Sequence, residues 1–403
     1  MSFEPIQVDW SKTGTYWLDL LARTPRDELR AAVSPPALGT KLTDDAAMFL
    51  ACVVALAGAG AVAPNPLVGA VLLAADGGFM SSGAHLKIGS AHAEVNAIEE
   101  AANDVANLAG ASLYVTLEPC AHAGRTPSCA KMIAGTKIAR VVYGLVDPNP
   151  KVAGQGLDIL RQAGKKVETL PNWEASCEWL ARVFLHNQRR SEIFTAMKVA
   201  STPSGVIAGN GTSRLWITGE RARHMGHFLR LEYDALMVGI RTLLLDDPSL
   251  DMRHPVVEGR SPLRVVLDPH AELLRESRDL KLLTSHPELT LIVFPTGEDY
   301  GLFAKKYGVR TLGLSRDSSG HFKWAEIKQS LWELGLSSLL IEGGAGLYKS
   351  ALTASAVDAV HWFVGAETGL SGLTWPVLPE LLNLYKKGGG VPLLSDRLLE
   401  VLL

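Results

Sequence analysis

Short apolar runs alternate with amphipathic stretches along most of the chain, and the alternation predicts helices and strands in turn. The longest apolar run is also the most ambiguous. No charge stands between Asp45 and Asp76. Its first part, 46–63, is long enough to raise the question of a membrane span. Ala and Gly dominate that part, however, and Pro64, Asn65 and Pro66 cut the run in two. The pattern therefore predicts a buried helix over 44–58, a Pro-Asn-Pro turn and a buried strand over 67–74.

Further along, 112–117 and 139–144 are short β-branched and aromatic runs, expected as strands. Between them Thr126-Pro127 is expected to open a helix that Gly135 closes. Helices are expected over 93–105, 156–163 and 173–187, with a short strand near Val167. This describes a three-layer αβα unit. Before it, residues 1–42 form an N-terminal extension with a short helix over 17–33 and a Ser34-Pro35-Pro36 linker. A basic Arg189-Arg190 step places the boundary near 190. The first domain is then 43–190 and the second 191–403. In the second, strands are expected over 193–200, 235–239, 263–267, 291–294 and 338–341, with helices over 220–232 and 324–334. The fold class is α/β throughout.

Composition narrows the function classes. At 47% hydrophobic and 20% charged residues, the chain has enough apolar mass for large cores. The 39 Lys+Arg against 42 Asp+Glu leave a net charge of −3, which argues against a nucleic-acid partner but not against a small phosphate ester. The N-terminus lacks the basic-then-apolar order of a signal peptide, so a cytoplasmic protein with no membrane partner is expected. Four cysteines are too few for a disulfide-stapled scaffold.

Two of those cysteines carry the strongest chemical signal. His92-Ala93-Glu94 is followed by Pro119-Cys120 and then Cys129. One imidazole and two thiolates suit a tetrahedral zinc whose fourth position is open to water. Cys129 falls in the first turn of its helix, where free amide groups favour a thiolate. Glu94 is placed to move protons beside such a site. A closed structural zinc needs a fourth ligand, for which His122 is the only nearby candidate. Cys52 and Cys177 are expected as inert core thiols.

His-x-Glu followed by Pro-Cys-x-x-Cys is the signature of zinc nucleobase deaminases. Here eight residues separate the cysteines, and the insert 121–128 holds a His, an Arg and a Thr suited to a phosphate or ribose, or else is a plain exposed loop. With Pro64-Asn65-Pro66-Leu67-Val68-Gly69, Gly83-Ala84-His85, His92-Ala93-Glu94-Val95, the run Glu118 to Cys129 and Asp147-Pro148-Asn149-Pro150, the chain resembles the bifunctional riboflavin-biosynthesis deaminase/reductase family. The likeness spans about 44–400.

The resemblance implies a cytidine deaminase-like domain followed by a dihydrofolate reductase-like domain. It implies zinc-dependent deamination of 2,5-diamino-6-ribosylamino-4(3H)-pyrimidinone 5′-phosphate, with attack at the ring carbon bearing the 2-amino group and Glu94 passing protons to the departing ammonia. Asn65, His85, His122 and Arg125 are implied to line the pyrimidine and ribose-phosphate pocket. Asn96 stands where several relatives carry His, and both side chains hydrogen-bond.

In the second domain, Glu342-Gly343-Gly344-Ala345-Gly346 follows a buried strand, a turn that lets backbone amides approach a phosphate. Asp246-Asp247-Pro248 reads as a helix-capping turn. The resemblance adds NADPH, which reduces the ribosyl group to ribityl. Ala200, Trp216, Thr242, Asp246, Gly344, Ala345 and Gly346 are implied to face NADPH, and Arg230, Leu250, Arg253 and Glu342 the substrate. Self-association through this domain is expected. There are departures: Thr202-Pro203-Ser204-Gly205-Val206 lacks the family's acid and base, Arg214 of Thr212-Ser213-Arg214 stands where a small hydroxyl is usual, and Leu403 falls where the last strand is expected. The alternatives are a deaminase whose reductase domain is vestigial and only dimerises, or a related pyrimidine or nucleoside deaminase.

Overall fold

The uncharged run that opened the question of a membrane is a buried helix. In the computed structural model, which describes residues 8–13, 16–101, 108–121, 128–148, 153–209, 216–254, 260–366 and 371–403, it follows two short helices, α1 (Tyr16–Arg23) and α2 (Arg26–Ala32). These two replace the single helix expected over 17–33. Pro25 separates them, because a proline disfavours helical geometry at the residue before it. The run itself forms α3 (Asp44–Ala55) and one 3-10 turn to Gly58. Thr43 caps it, its Oγ1 accepting the Ala46 N–H at 3.1 Å. Asp45 accepts the Trp173 indole N–H at 2.8 Å, and Asp44 accepts the Tyr114 hydroxyl at 2.6 Å. A helix apolar on all sides is core here. Among the described residues no helix is long and apolar enough to cross a membrane.

The chain divides into two units, Met1–Ser191 and Glu192–Leu403. In the first, α3 is followed by β1 (Gly69–Leu73), β2 (Phe79–Ala84), α4 (Ala93–Ala101), β3 (Ser112–Val115), α5 (Cys129–Ala134), β4 (Arg140–Tyr143), α6 (Gln155–Gln162), β5 (Lys166–Thr169) and α7 (Glu174–Arg190). The strand order is β2-β1-β3-β4-β5; β1 is antiparallel to both neighbours and the last three strands are parallel. Side chains alternate between faces, so one sheet feeds two cores. Val71, Leu73, Tyr114 and Val142 pack with α3 and α7. Ala70, Leu72, Leu113, Val115 and Val141 pack with α4, α5 and α6. The helix expected to open at Thr126-Pro127 starts at Cys129, with Ser128 as its cap; Thr126 and Pro127 lie outside the described residues.

The closeness of α4 to the sheet depends on Gly83. A Cβ there would lie 2.4 Å from the Ala97 nitrogen and 2.5 Å from the Ala93 oxygen. Gly83→Ala is expected to push α4 off β2 and destabilise the unit by about 1–3 kcal/mol. Thermal unfolding tests this; an unchanged midpoint contradicts the close approach.

The second unit contains β6 (Phe194–Ser201), β7 (Val206–Gly209), α8 (Glu220–Leu231), β8 (Ala235–Gly239), α9 (Ile240–Asp246), β9 (Leu263–Leu267), α10 (Lys281–Thr284), β10 (Thr290–Pro295), α11 (Gly301–Tyr307), β11 (Arg310–Leu314), α12 (Trp324–Glu333), β12 (Ser338–Ile341), α13 (Ala345–Thr353), β13 (Ala359–Val364), β14 (Gly372–Thr374), α14 (Pro379–Lys386), β15 (Val391–Leu393) and β16 (Asp396–Leu402). The nine-stranded sheet runs β11-β10-β9-β8-β12-β6-β13-β16-β15. Its first seven strands are parallel, and β16 and β15 extend it antiparallel. The strand expected near Leu403 is thus β16, lying just before the last residue. Among the strands not foreseen, β13 is buried along its whole length, and a strand buried on both faces loses the period-two signal.

Candidate metal and catalytic centre

Three elements converge on one point of the first unit. His92 sits immediately before α4, its carbonyl accepting the Asn96 N–H at 3.0 Å. Cys120 follows the end of β3, and Cys129 is the first residue of α5. Ser128 joins the two cysteines. Its Oγ donates to the Cys120 carbonyl at 2.8 Å and accepts the Lys131 N–H at 3.3 Å as the cap of α5. The Cys129 N–H points at the Cys120 Sγ, 3.3 Å away. His92 Nδ1 lies 3.3 Å from the Cys129 Sγ and 3.7 Å from the Cys120 Sγ. All three ligand atoms fall within 4.8 Å of one another.

These spacings fit a metal. Zinc bonds of ordinary length at tetrahedral angles put sulfur and nitrogen about 3.6 Å apart, between the two observed separations. The donor set of one imidazole and two thiols suits zinc. Of the three ligands, Cys120 is the one already held as a thiolate. Hydrogen bonds from Cys129 and His92 hold the Cys120 thiol down at about 4. The neighbouring Cys120 and burial hold Cys129 up, so one negative charge serves the pair. Cys120 in turn raises His92.

Glu94, the second residue of α4, is 3% exposed. Burial pushes its carboxyl up to about 6. His85 is buried as well, and burial lowers its pKa, so it is neutral near pH 7. Its Nδ1–H donates to the Ala91 carbonyl at 3.1 Å. Its Nε2 is therefore an acceptor and takes the Asn65 amide N–H at 3.1 Å. The His85 and His92 rings meet edge to face at 5.3 Å. Asn96 donates to the Ala84 carbonyl at 2.7 Å, tying α4 to β2. His122 and Arg125 lie outside the described residues. Cys52 and Cys177 are buried in α3 and α7, where Cys177 and burial hold the Cys52 thiol up.

In the second unit, the neighbouring parallel strands β8, β12 and β6 end on the same sheet edge, the usual ligand side of such sheets. Ala200 lies near the end of β6, Thr242 in α9 just beyond β8, and Gly344 to Gly346 at the start of α13 beyond β12. Thr242 lies against the glycine turn: its Oγ1 is 3.2 Å from where a Cβ on Gly344 would sit, and Gly344 has φ +89°. Asp246 is exposed at the end of α9. Trp216 is 58% exposed, with the Arg223 guanidinium 4.7 Å over its ring. The helix-capping reading of Asp246-Asp247-Pro248 matches Asp247, which ends α9 at φ +40°.

Arg230 and Glu342 face each other. Two guanidinium nitrogens of Arg230 donate to the two carboxylate oxygens at 2.6 and 2.8 Å, and a third donates to the Asp251 carbonyl at 2.7 Å. Leu250 is buried at φ +48°, and Arg253 pairs with Asp251 at 2.8 Å. Sequence reasoning missed Lys198, whose ammonium lies 3.7 Å from Glu342, and His227, whose Nδ1 accepts the Arg253 N–H at 3.2 Å. A signal existed for Lys198: it is the one charged residue in β6. The segment 202–206, where the chain departs from the family's residues, forms a tight turn. Thr202 Oγ1 accepts the Val206 N–H at 3.1 Å and lies 2.8 Å from the Ser204 hydroxyl, while Gly205 turns at φ +88°. Thr212, Ser213 and Arg214 lie outside the described residues.

Family models match both units. Residues 43–145 match the cytidine and deoxycytidylate deaminase zinc-binding region, and residues 194–366 match the RibD C-terminal domain. Fold and ligand set together define a two-unit enzyme class, a deaminase-like αβα domain joined to a reductase-like α/β domain. The riboflavin biosynthesis protein RibD of Actinobacillus pleuropneumoniae is 38% identical over 80% of this chain and 84% of its own. That of Bacillus amyloliquefaciens is 37% identical over 78% and 82%. A crystal structure from Thermotoga maritima, described as a diaminohydroxyphosphoribosylaminopyrimidine deaminase/5-amino-6-(5-phosphoribosylamino)uracil reductase, superposes with a TM-score of 0.71 at 31% identity, covering 88% of this chain and 97% of that one. The chain belongs to the RibD family of bifunctional riboflavin biosynthesis deaminase/reductases.

Proposed function

We propose that the first unit uses zinc to deaminate 2,5-diamino-6-ribosylamino-4(3H)-pyrimidinone 5′-phosphate hydrolytically, and that the second uses NADPH to reduce the ribosyl group of the product to ribityl. The observation that carries the first half is the convergence of His92, Cys120 and Cys129 beside buried Glu94. A bound zinc ion supplies Lewis acidity that makes water nucleophilic at neutral pH. Glu94, buried beside the three ligands, would take up a proton from the attacking water and return it to the leaving amine; a carboxyl near 6 suits both tasks. His85 orients Asn65. Because the Asn65 amide N–H is spent on His85 Nε2, its carbonyl oxygen is left to accept from a pyrimidine N–H. Hydrolysis replaces C–NH2 by C=O and releases ammonia.

For the second half, Thr242 and the turn at Gly344 are read as the NADPH side, together with Ala200, Trp216, Asp246, Ala345 and Gly346. Arg230, Leu250, Arg253 and Glu342 are read as the substrate side. Arg230 shapes that side by bridging Glu342 to the Asp251 backbone.

Two measurements test the reading. Purified protein is expected to hold about one zinc per chain, and removing it with a chelator is expected to stop ammonia release; folded protein that binds no zinc sinks the deaminase claim. Deaminated product with NADPH is expected to lower the absorbance of the reduced cofactor. No oxidation there selects the alternative in which only the first unit is catalytic.

A further inference from the structure

Glu118 stands two residues before Cys120, and among the described residues its carboxylate bonds only main-chain N–H groups. Glu118 is 6% exposed. Its Oε2 accepts the N–H groups of Asp147 at 3.2 Å and Gly154 at 3.0 Å. Its Oε1 accepts the N–H of Gly156 at 3.0 Å. Its own N–H donates to the Leu145 carbonyl at 2.8 Å. A charged acceptor taking three backbone donors is a strong, directional clamp. The clamp also forces a close approach, since a Cβ on Gly156 would lie 1.9 Å from the Pro119 carbonyl oxygen. The segment Glu118-Pro119-Cys120 is thereby gripped from the β4–α6 side.

The opposite side of Cys120 is held by α5, through the Ser128 hydroxyl at 2.8 Å and the Ala130 N–H at 3.1 Å, both on the Cys120 carbonyl. His92 directly precedes α4 and Cys129 begins α5, so each is tied to a helix start, whereas Cys120 lies on irregular chain after β3. Of the three ligands it most needs anchoring from outside its own element. We infer that Glu118 is a positioning residue that fixes the Cys120 sulfur for metal binding by clamping the chain on both sides of α6's start to the Pro119–Cys120 segment. The inference rests on the zinc reading above.

The chemistry separates this role from packing. Glutamine has the same shape but one acceptor oxygen. With three N–H donors converging, its NH2 must face at least one of them, donor against donor. Outer groups that orient metal ligands cost roughly 10–100-fold in metal affinity when removed.

The test uses the full-length chain, wild type, Glu118→Gln and Gly156→Ala, loaded with Zn2+ or with Co2+ as spectroscopic reporter. Gly156→Ala keeps the carboxylate but pushes on Pro119, so it serves if Glu118→Gln does not fold. The expected result is a shift of the cobalt d–d and thiolate charge-transfer bands. Zinc affinity by chelator competition falls roughly 10–100-fold. In zinc-saturated protein kcat falls while KM stays near wild type. If folded variants lose thermal stability but keep the wild-type cobalt spectrum and zinc affinity, Glu118 is only a structural clamp and the inference is overturned. A wild-type chain that binds neither metal overturns the zinc reading itself, an outcome distinct from unchanged variants.

Discussion

Glu94→Gln is expected to leave zinc bound and to stop ammonia release. The substitution keeps size and burial but removes the group that takes up and returns the proton. His92, Cys120 and Cys129 remain within 4.8 Å of one another, so the metal content stays at about one per chain. Proton transfer by a positioned side chain contributes about 10²–10⁴-fold, and kcat is expected to fall by at least that range. The enclosure makes the effect large. At 3% exposure, no bulk water replaces the lost base in place. Ammonia release and zinc content measured on the same preparation decide the matter. A fully active mutant with zinc bound assigns the proton transfer to another group.

Glu342→Gln is expected to cost the second unit about 3–5 kcal/mol, because it leaves the Arg230 guanidinium without its buried counter-charge. The Glu342 side chain is 3% exposed, and that of Arg230 is 15% exposed. Burial works to raise the Glu342 carboxyl, but Arg230 and Lys198 outweigh it and hold it at about 2, below its ordinary value of 4.5. A depressed carboxyl contributes stability that is complete above its unfolded value and is lost as pH falls through its folded one. The stability gap between wild type and Glu342→Gln is therefore expected to be full above about 4.5 and to close as the pH approaches about 2. Denaturant titrations over that range test the sign. A gap that widens in acid contradicts the pairing.

Much of the first unit was legible because its signals are local. The uncharged run over 46–63 read as core from its Ala and Gly content and the Pro-Asn-Pro break, and it forms α3. His92, Glu94, Cys120 and Cys129 carry a motif whose spacing survives in the chain order. The N-terminal helix broke at Pro25 for a reason also present in the chain. What was not legible depends on distant partners. Glu118 reads as one acid among many until Gly154 and Gly156 fold back onto it. Lys198 is a lone charge in a strand until Glu342, on the neighbouring strand's end, comes to 3.7 Å.

By itself, then, the chain of residues determined which atoms are available for metal binding and proton transfer, and which segments must be buried, since residue type and periodicity are local properties. Only the tertiary structure decided how those atoms are held. Three ligands meet at one point because β3, α4 and α5 are brought together by the sheet. The Glu118 clamp and the Arg230–Glu342 pair both join residues far apart in the chain. Such contacts form only when burial removes water and forces buried polar groups to find partners, and no local pattern specifies which partners those are.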